Sequence, residues 1–129
     1  MSILIKTEDQ IEGIRESSKL AGDVLIYIAD FVKEGASTGY LDELIHKYIV
    51  ERGGIPATMD YNGFPKSCCI SLNDVICHGI PSKDVFLKNG DILNIDITTI
   101  LNGYFGDTSK MYIVGQASEA AIKLVNATK

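Results

Sequence analysis

Asp91-Ile92-Leu93-Asn94-Ile95-Asp96-Ile97-Thr98-Thr99-Ile100-Leu101, then Asn102-Gly103, then Tyr104-Phe105-Gly106-Asp107-Thr108-Ser109-Lys110-Met111-Tyr112-Ile113-Val114: this stretch decides the fold. Both long runs are rich in β-branched and aromatic residues. Asn-Gly between two such runs is the strongest short-range hairpin signal, because a type I′ turn needs positive φ at both central positions. A two-residue turn also sets the register: Leu101 faces Tyr104, Asp96 lies opposite Ser109, and Asp107 lies opposite Thr98. Opposed residues share a face, so Asp96 and Asp107 point the same way, as diagonal neighbours roughly 7–8 Å apart at the backbone. That spacing lets two carboxylates converge on a cation and is too wide to force them to share a proton.

Upstream of the hairpin the period changes from two to 3.6. Thr7-Glu8-Asp9-Gln10 has the form of a capping box, and Ile11, Ile14, Ala21, Val24, Leu25, Ile28, Phe31 and Val32 follow at helical spacing until Gly35. A second helix is predicted from Ser37 or Thr38, with Leu41, Leu44, Ile45, Tyr48 and Ile49 on one face and Gly53-Gly54 at its end. Short β-type runs then occupy 55–59, 67–72 and 75–78, broken by Gly63, Pro65 and Asn73-Asp74. A last helix begins at Ser118 with Ala121, Leu124 and Val125 inward, and its pattern is still running at Lys129, which predicts truncation from a longer chain. The predicted architecture is α+β, with helices on one side of a mainly antiparallel sheet.

At 129 residues, with 46% hydrophobic and 22% charged residues, the chain is expected to form a single domain over 1–129 with one core. Seventeen acidic residues against twelve basic ones give a net charge of −5, which argues against a domain built to grip phosphate backbones. No apolar run approaches the ~18–20 residues that span a bilayer. The opening Met-Ser-Ile-Leu-Ile-Lys does not read as a signal peptide, so the expected location is the cytoplasm. Cys68, Cys69 and Cys77 are odd in number, two are adjacent, and none form a CxxC pair, so reduced thiols are expected rather than a disulfide framework or a zinc ribbon.

The two hairpin carboxylates are the candidates for chemistry. Most aspartates sit at the surface near turns. Asp96, however, interrupts Ile92-Leu93-Asn94-Ile95-Asp96-Ile97, a run apolar enough to be largely buried, where a carboxylate needs a partner. No Arg or Lys falls on its face of the hairpin, and a cation would fill that role. Hard oxygen ligands favour Mn, Fe(II), Co, Mg or Ca over a thiolate-type zinc site, and paired carboxylates suit a bridged two-metal centre that activates water.

An ordered set of blocks carries a resemblance. It runs through Tyr61-Asn62-Gly63-Phe64-Pro65-Lys66-Ser67-Cys68-Cys69-Ile70-Ser71 and Asn73-Asp74-Val75-Ile76-Cys77-His78-Gly79-Ile80-Pro81. It continues in Gly90-Asp91-Ile92-Leu93-Asn94-Ile95-Asp96 and Gly106-Asp107-Thr108-Ser109-Lys110. Together they resemble the N-terminal half of type 1, bacterial-type methionine aminopeptidases, over the whole chain. The aspartate pair also resembles the wider pita-bread (creatinase/aminopeptidase) family, and the His-Gly-Ile-Pro block points to the methionine enzymes within it.

The resemblance implies half of a pita-bread fold in which Asp96 and Asp107 are metal ligands. It implies that His78 is catalytic, binding substrate near the scissile amide, and that Tyr61, Phe64 and Cys69 line a pocket for the methionine side chain. The implied cofactors are two divalent ions per complete site, Mn, Fe(II) or Co, and the implied substrates are nascent proteins with N-terminal methionine. Asn62 stands where relatives often have His, and Phe64 where Tyr is common. The family site also needs a His and two Glu from a second half, whereas after Asp107 this chain has only Glu119 and no His. The chain alone is therefore expected to be inactive. The competing expectation is a non-catalytic half-domain that forms a homodimer or binds a partner through the face its second half would cover. His46, on the second helix, is read as a plain helix residue.

Overall fold

In the computed structural model, which describes residues 3–128, Asn102 and Gly103 take φ of +51° and +82° and close a two-residue turn. Strands β3 (Ile92–Leu101) and β4 (Tyr104–Ile113) pair antiparallel along their full length. Leu101 faces Tyr104, Asp96 faces Ser109 and Thr98 faces Asp107, as the turn chemistry requires. The other edge of β3 is shared by two short antiparallel strands. β1 (Ile55–Pro56) pairs with Ile100 and Thr99, and β2 (Cys69–Leu72) pairs with Asp96 to Leu93.

Helix α1 (Glu8–Ile28) opens with the capping box, Thr7 and Gln10 exchanging side-chain and backbone bonds. It buries Leu20, Ala21, Val24, Leu25 and Ile28 against the sheet face made by Leu93, Ile95 and Ile97. Two glycines allow the approach. A Cβ on Gly13 would sit 2.3 Å from the Tyr104 ring, and one on Gly106 would sit 2.3 Å from the Ser18 nitrogen. Beside them, Ser17 and Thr99, both fully buried, bond each other, and Thr99 Oγ1 donates to the Ser17 carbonyl at 2.9 Å. Tyr112 Oη donates to the Leu25 carbonyl at 2.5 Å, which satisfies the one polar atom of an otherwise buried ring. Helix α2 (Thr38–Glu51), capped by Ser37 on Tyr40 N, adds Leu41, Ile45 and Ile49 to the same core. The α+β architecture follows: helices cover one face of an antiparallel sheet.

Three expectations are corrected. The first helix does not reach Gly35; it ends at Ile28 and tightens into a 3₁₀ turn over Ala29–Phe31. The chain leaves it because Gly35 N donates to Leu87 O and Leu87 N to Ala36 O, a pairing that helical geometry would forbid. The run 75–78 is no strand: Val75 N folds back on Leu72 O, His78 takes φ +54°, and Ile76 is 94% exposed. In α3 (Glu119–Ala127) only Val125 is buried and Leu124 faces outward, because little of the chain lies behind this helix; Lys129 is outside the described residues.

Candidate metal and substrate site

The face of the hairpin turned away from the helices carries the candidate residues. Cys69, Asp96 and Ser109 form one row across β2, β3 and β4, and Thr98 with Asp107 forms the next. Alternation puts Ile95 and Ile97 on the covered face and Asp96 between them on the open one, so Asp96 is half-buried. Its strand is buried on one face only, which corrects the expectation that Asp96 is largely buried. Lys110 pairs with Ile95 and so belongs to the opposite face, and among the described residues neither Asp96 nor Asp107 has an ion-pair partner.

Burial lifts the Asp96 carboxyl above the ordinary aspartate range, the charge of Asp107 lifts it further, and so does a hydrogen bond between the two carboxyls. The His78 imidazole and the Ile97 amide act in the opposite direction. The register keeps the two carboxyls on one face as diagonal neighbours, close enough for the charge of Asp107 to act on Asp96.

Two like-charged carboxyls held this close, with no basic side chain on either, fit a hard divalent cation by the chemistry of their oxygens. They remain a partial donor set. Among the described residues no group of three or more His, Cys, Asp or Glu is placed to hold a metal.

Beside the carboxylates lies a cavity of about 530 Å³. Tyr61, Phe64, Cys69 and His78, singled out in the sequence, all line it, together with Thr58, Asn62, Gly63, Pro65 and Ile80. Its walls need unusual backbone. Asp60, Asn62 and Gly63 take φ of +63°, +49° and +80°, which turns the chain sharply around the Tyr61 and Phe64 rings. His78 reaches the pocket because the next residue is glycine. Gly79 leans on β2 so closely that a Cβ would sit 2.1 Å from the Ile70 carbonyl oxygen, and Ile70 N donates to Gly79 O at 2.9 Å. The Cys69 thiol is raised by burial first, then by Asp96, Cys77 and Asp107, so it forms a neutral pocket wall at neutral pH. All three thiols are free, with Cys68 and Cys69 buried and Cys77 exposed.

Sequence reasoning missed Thr58, Gly63, Pro65 and Ile80 as pocket residues; the last lies inside the His-Gly-Ile-Pro block and could have been included on that signal. His46 is an exposed residue of α2, as expected, and its Nδ1 bonds Ser67 Oγ at 2.8 Å.

Residues 12–129 match the model of metallopeptidase family M24. The Haemophilus influenzae methionine aminopeptidase is 56% identical across the whole chain, which covers 49% of that protein. The crystal structure of the Rickettsia prowazekii methionine aminopeptidase superposes with a TM-score of 0.96 at 47% identity, over 98% of this chain and 51% of that one. That of the Thermotoga maritima enzyme gives 0.95 at 29% identity, over 98% and 51%. The chain is thus half of a pita-bread fold, spans about half the length of the relatives it matches, and belongs to metallopeptidase family M24.

Proposed function

We propose that this chain is the N-terminal half, as one domain over 1–129, of an enzyme that removes N-terminal methionine from nascent proteins in the cytoplasm. The observation that carries the reading is the adjacency of two groups: the Asp96–Asp107 pair and the cavity holding Tyr61, Phe64, Cys69 and His78. Asp96 and Asp107 would hold divalent ions, Mn, Fe(II) or Co, two in a complete site. A bound ion of this kind supplies an activated water and counters charge developing on the amide oxygen. The chain's own residues do the rest. Tyr61, Phe64 and Cys69 take up an unbranched apolar side chain and exclude water from it. His78, at the cavity and close enough to Asp96 to act on its charge, donates a hydrogen bond near the scissile amide. Asp96 and Asp107 cannot complete a metal site by themselves, so the isolated chain is catalytically inert.

The test is hydrolysis of a methionyl peptide with Mn(II) or Co(II), by this chain alone and after mixing with a separately made second half. Activity is expected only in the mixture. Turnover that ignores the second half, or a mixture that hydrolyses other N-terminal residues equally well, defeats the reading. A non-catalytic homodimer is the alternative, and one observation favours it: Ile55 and Phe105, 60% and 59% exposed, stand at the turn end of the open face. Sedimentation of the chain with and without Mn(II) separates the two, since the dimer reading requires self-association.

A further inference from the structure

Asp42 is a buried carboxylate, 4% exposed, on the face of α2 turned toward the irregular stretch 65–68. Three consecutive residues of that stretch converge on it. Ser67 N donates to Oδ1 at 2.8 Å, Cys68 Sγ to the same oxygen at 3.5 Å, and Lys66 Nζ lies 3.7 Å from Oδ2. One turn further along α2, His46 bonds Ser67 Oγ. From the other side Thr58, itself a pocket residue, donates its hydroxyl to the Lys66 carbonyl at 2.9 Å.

The held stretch has no ladder partner, since β2 begins only at Cys69. Its two ends are pocket walls: Phe64 and Pro65 lead into it and Cys69 leads out. A buried carboxylate is costly to desolvate, and a fold that needed only packing here would do as well with an apolar side chain. What the carboxylate adds is several acceptor sites on one rigid fork, enough to wind three successive residues around a single point.

We propose that Asp42 is a positioning residue for the pocket: by clamping Lys66, Ser67 and Cys68 from behind, it fixes how Phe64 and Cys69 face the cavity. The proposal rests on reading that cavity as the substrate pocket, and its test is built to separate the two.

The readout is the alkylation rate of Cys69 by iodoacetamide in the 129-residue chain at fixed pH, with exposed Cys77 in the same molecule as the internal reference. Asp42→Ala should speed Cys69 alkylation at least tenfold relative to Cys77, and Asp42→Asn, which keeps the oxygen facing Ser67 N, should stay within threefold of the parent. Ile49→Val, a core change judged against them by its urea midpoint, reports what general loosening does. Asp42→Ala no faster than destabilisation of that size explains, or Asp42→Asn as fast as Asp42→Ala, overturns the proposal. If Asp42→Ala does not fold, hydrogen exchange of the parent decides: the Ser67 amide should be protected as well as those of β2, and exchange at the rate of an exposed loop amide overturns the clamp. Separately, methioninamide should slow Cys69 alkylation in the parent. Absence of that protection counts against the substrate pocket, and hence against the positioning role, while a passed variant test would still show the clamp as a mechanical fact.

Discussion

The two faces of the β3–β4 hairpin are built from alternate residues of the same strands and have opposite physics. On the covered face Leu93, Ile95 and Ile97 are fully buried, and the polar atoms of Thr99 and Tyr112 find partners in α1. On the open face Asp96 and Asp107 repel each other without a basic neighbour, and the nearby pocket walls need left-handed backbone at Asp60, Asn62 and His78. One face lowers the energy of the fold. The other spends part of that stability on an arrangement useful only when something binds. Separating the two is what period-two alternation makes available, since a residue and its neighbour never share a face.

The largest expected effect comes from the covered face. Ile95→Ala removes a fully buried side chain from between α1 and the sheet and should cost about 2–5 kcal/mol in urea unfolding. Mn(II) affinity of the protein that remains folded should not change. A parallel loss of metal affinity would break the comparison, because it would mean that the faces are not independent.

Tyr112 gives the covered face a pH signature. Burial pushes its hydroxyl up to about 12 in the folded chain, against an ordinary value of 10.0. The folded state therefore holds the proton more tightly than the unfolded one. The stability tied to this group is fully present below pH 10 and is lost as pH rises toward 12. Tyr112→Phe should give up the bond to Leu25 at neutral pH and unfold with a shallower alkaline decline than the parent. An unchanged decline would place the alkaline sensitivity elsewhere.

How legible these faces were in the sequence depended on the range of the interaction. The hairpin, its register and the shared face of Asp96 and Asp107 follow from Asn102-Gly103 and alternation, both local signals. The capping box at Thr7 and the serine cap of α2 are local too. What failed was nonlocal. Gly35 N is drawn to Leu87 O, the run 75–78 leaves the strand region to lay Gly79 on β2, and Asp42 reaches across to Ser67; no periodicity encodes such pairings. At the candidate site Asp96 and Asp107 were legible from the hairpin, whereas Tyr61, Phe64, Cys69 and His78 came from a family resemblance, and the structure added their placement: four around one cavity, two beside it.

On the open face the sign of a substitution should reverse. Asp107→Asn removes a like charge beside Asp96, so the metal-free chain should gain ~0.2–1 kcal/mol, the range for cross-strand charge pairs. Calorimetric titration should show the weak Mn(II) binding of the parent disappear in the same variant. Greater stability with unchanged Mn(II) binding would remove Asp107 from the ligands while leaving the repulsion in place.

The smallest effect sharpens the comparison most. His78 holds φ +54°, where an L residue with a Cβ is strained by roughly 1–2 kcal/mol. Glycine would relieve that strain and give back roughly 0.5–1 kcal/mol through a more flexible unfolded chain. His78→Gly should therefore leave the urea midpoint close to that of the parent, despite deleting an entire imidazole. His78→Val, β-branched and poorly suited to positive φ, should be clearly less stable than His78→Gly although it keeps more side chain. Side-chain packing alone predicts the opposite order, as it would for Leu93 or Ile97 on the covered face. If valine proves the milder change, the backbone at His78 is relaxed in solution and the imidazole is not held toward the cavity by the loop. If glycine is the milder one, stability at this position is set by backbone conformation rather than by packing of the imidazole, which is free to serve chemistry: in the complete enzyme His78→Ala should then lower kcat by about 10²-fold, as for a lost oxyanion donor, with little change in KM.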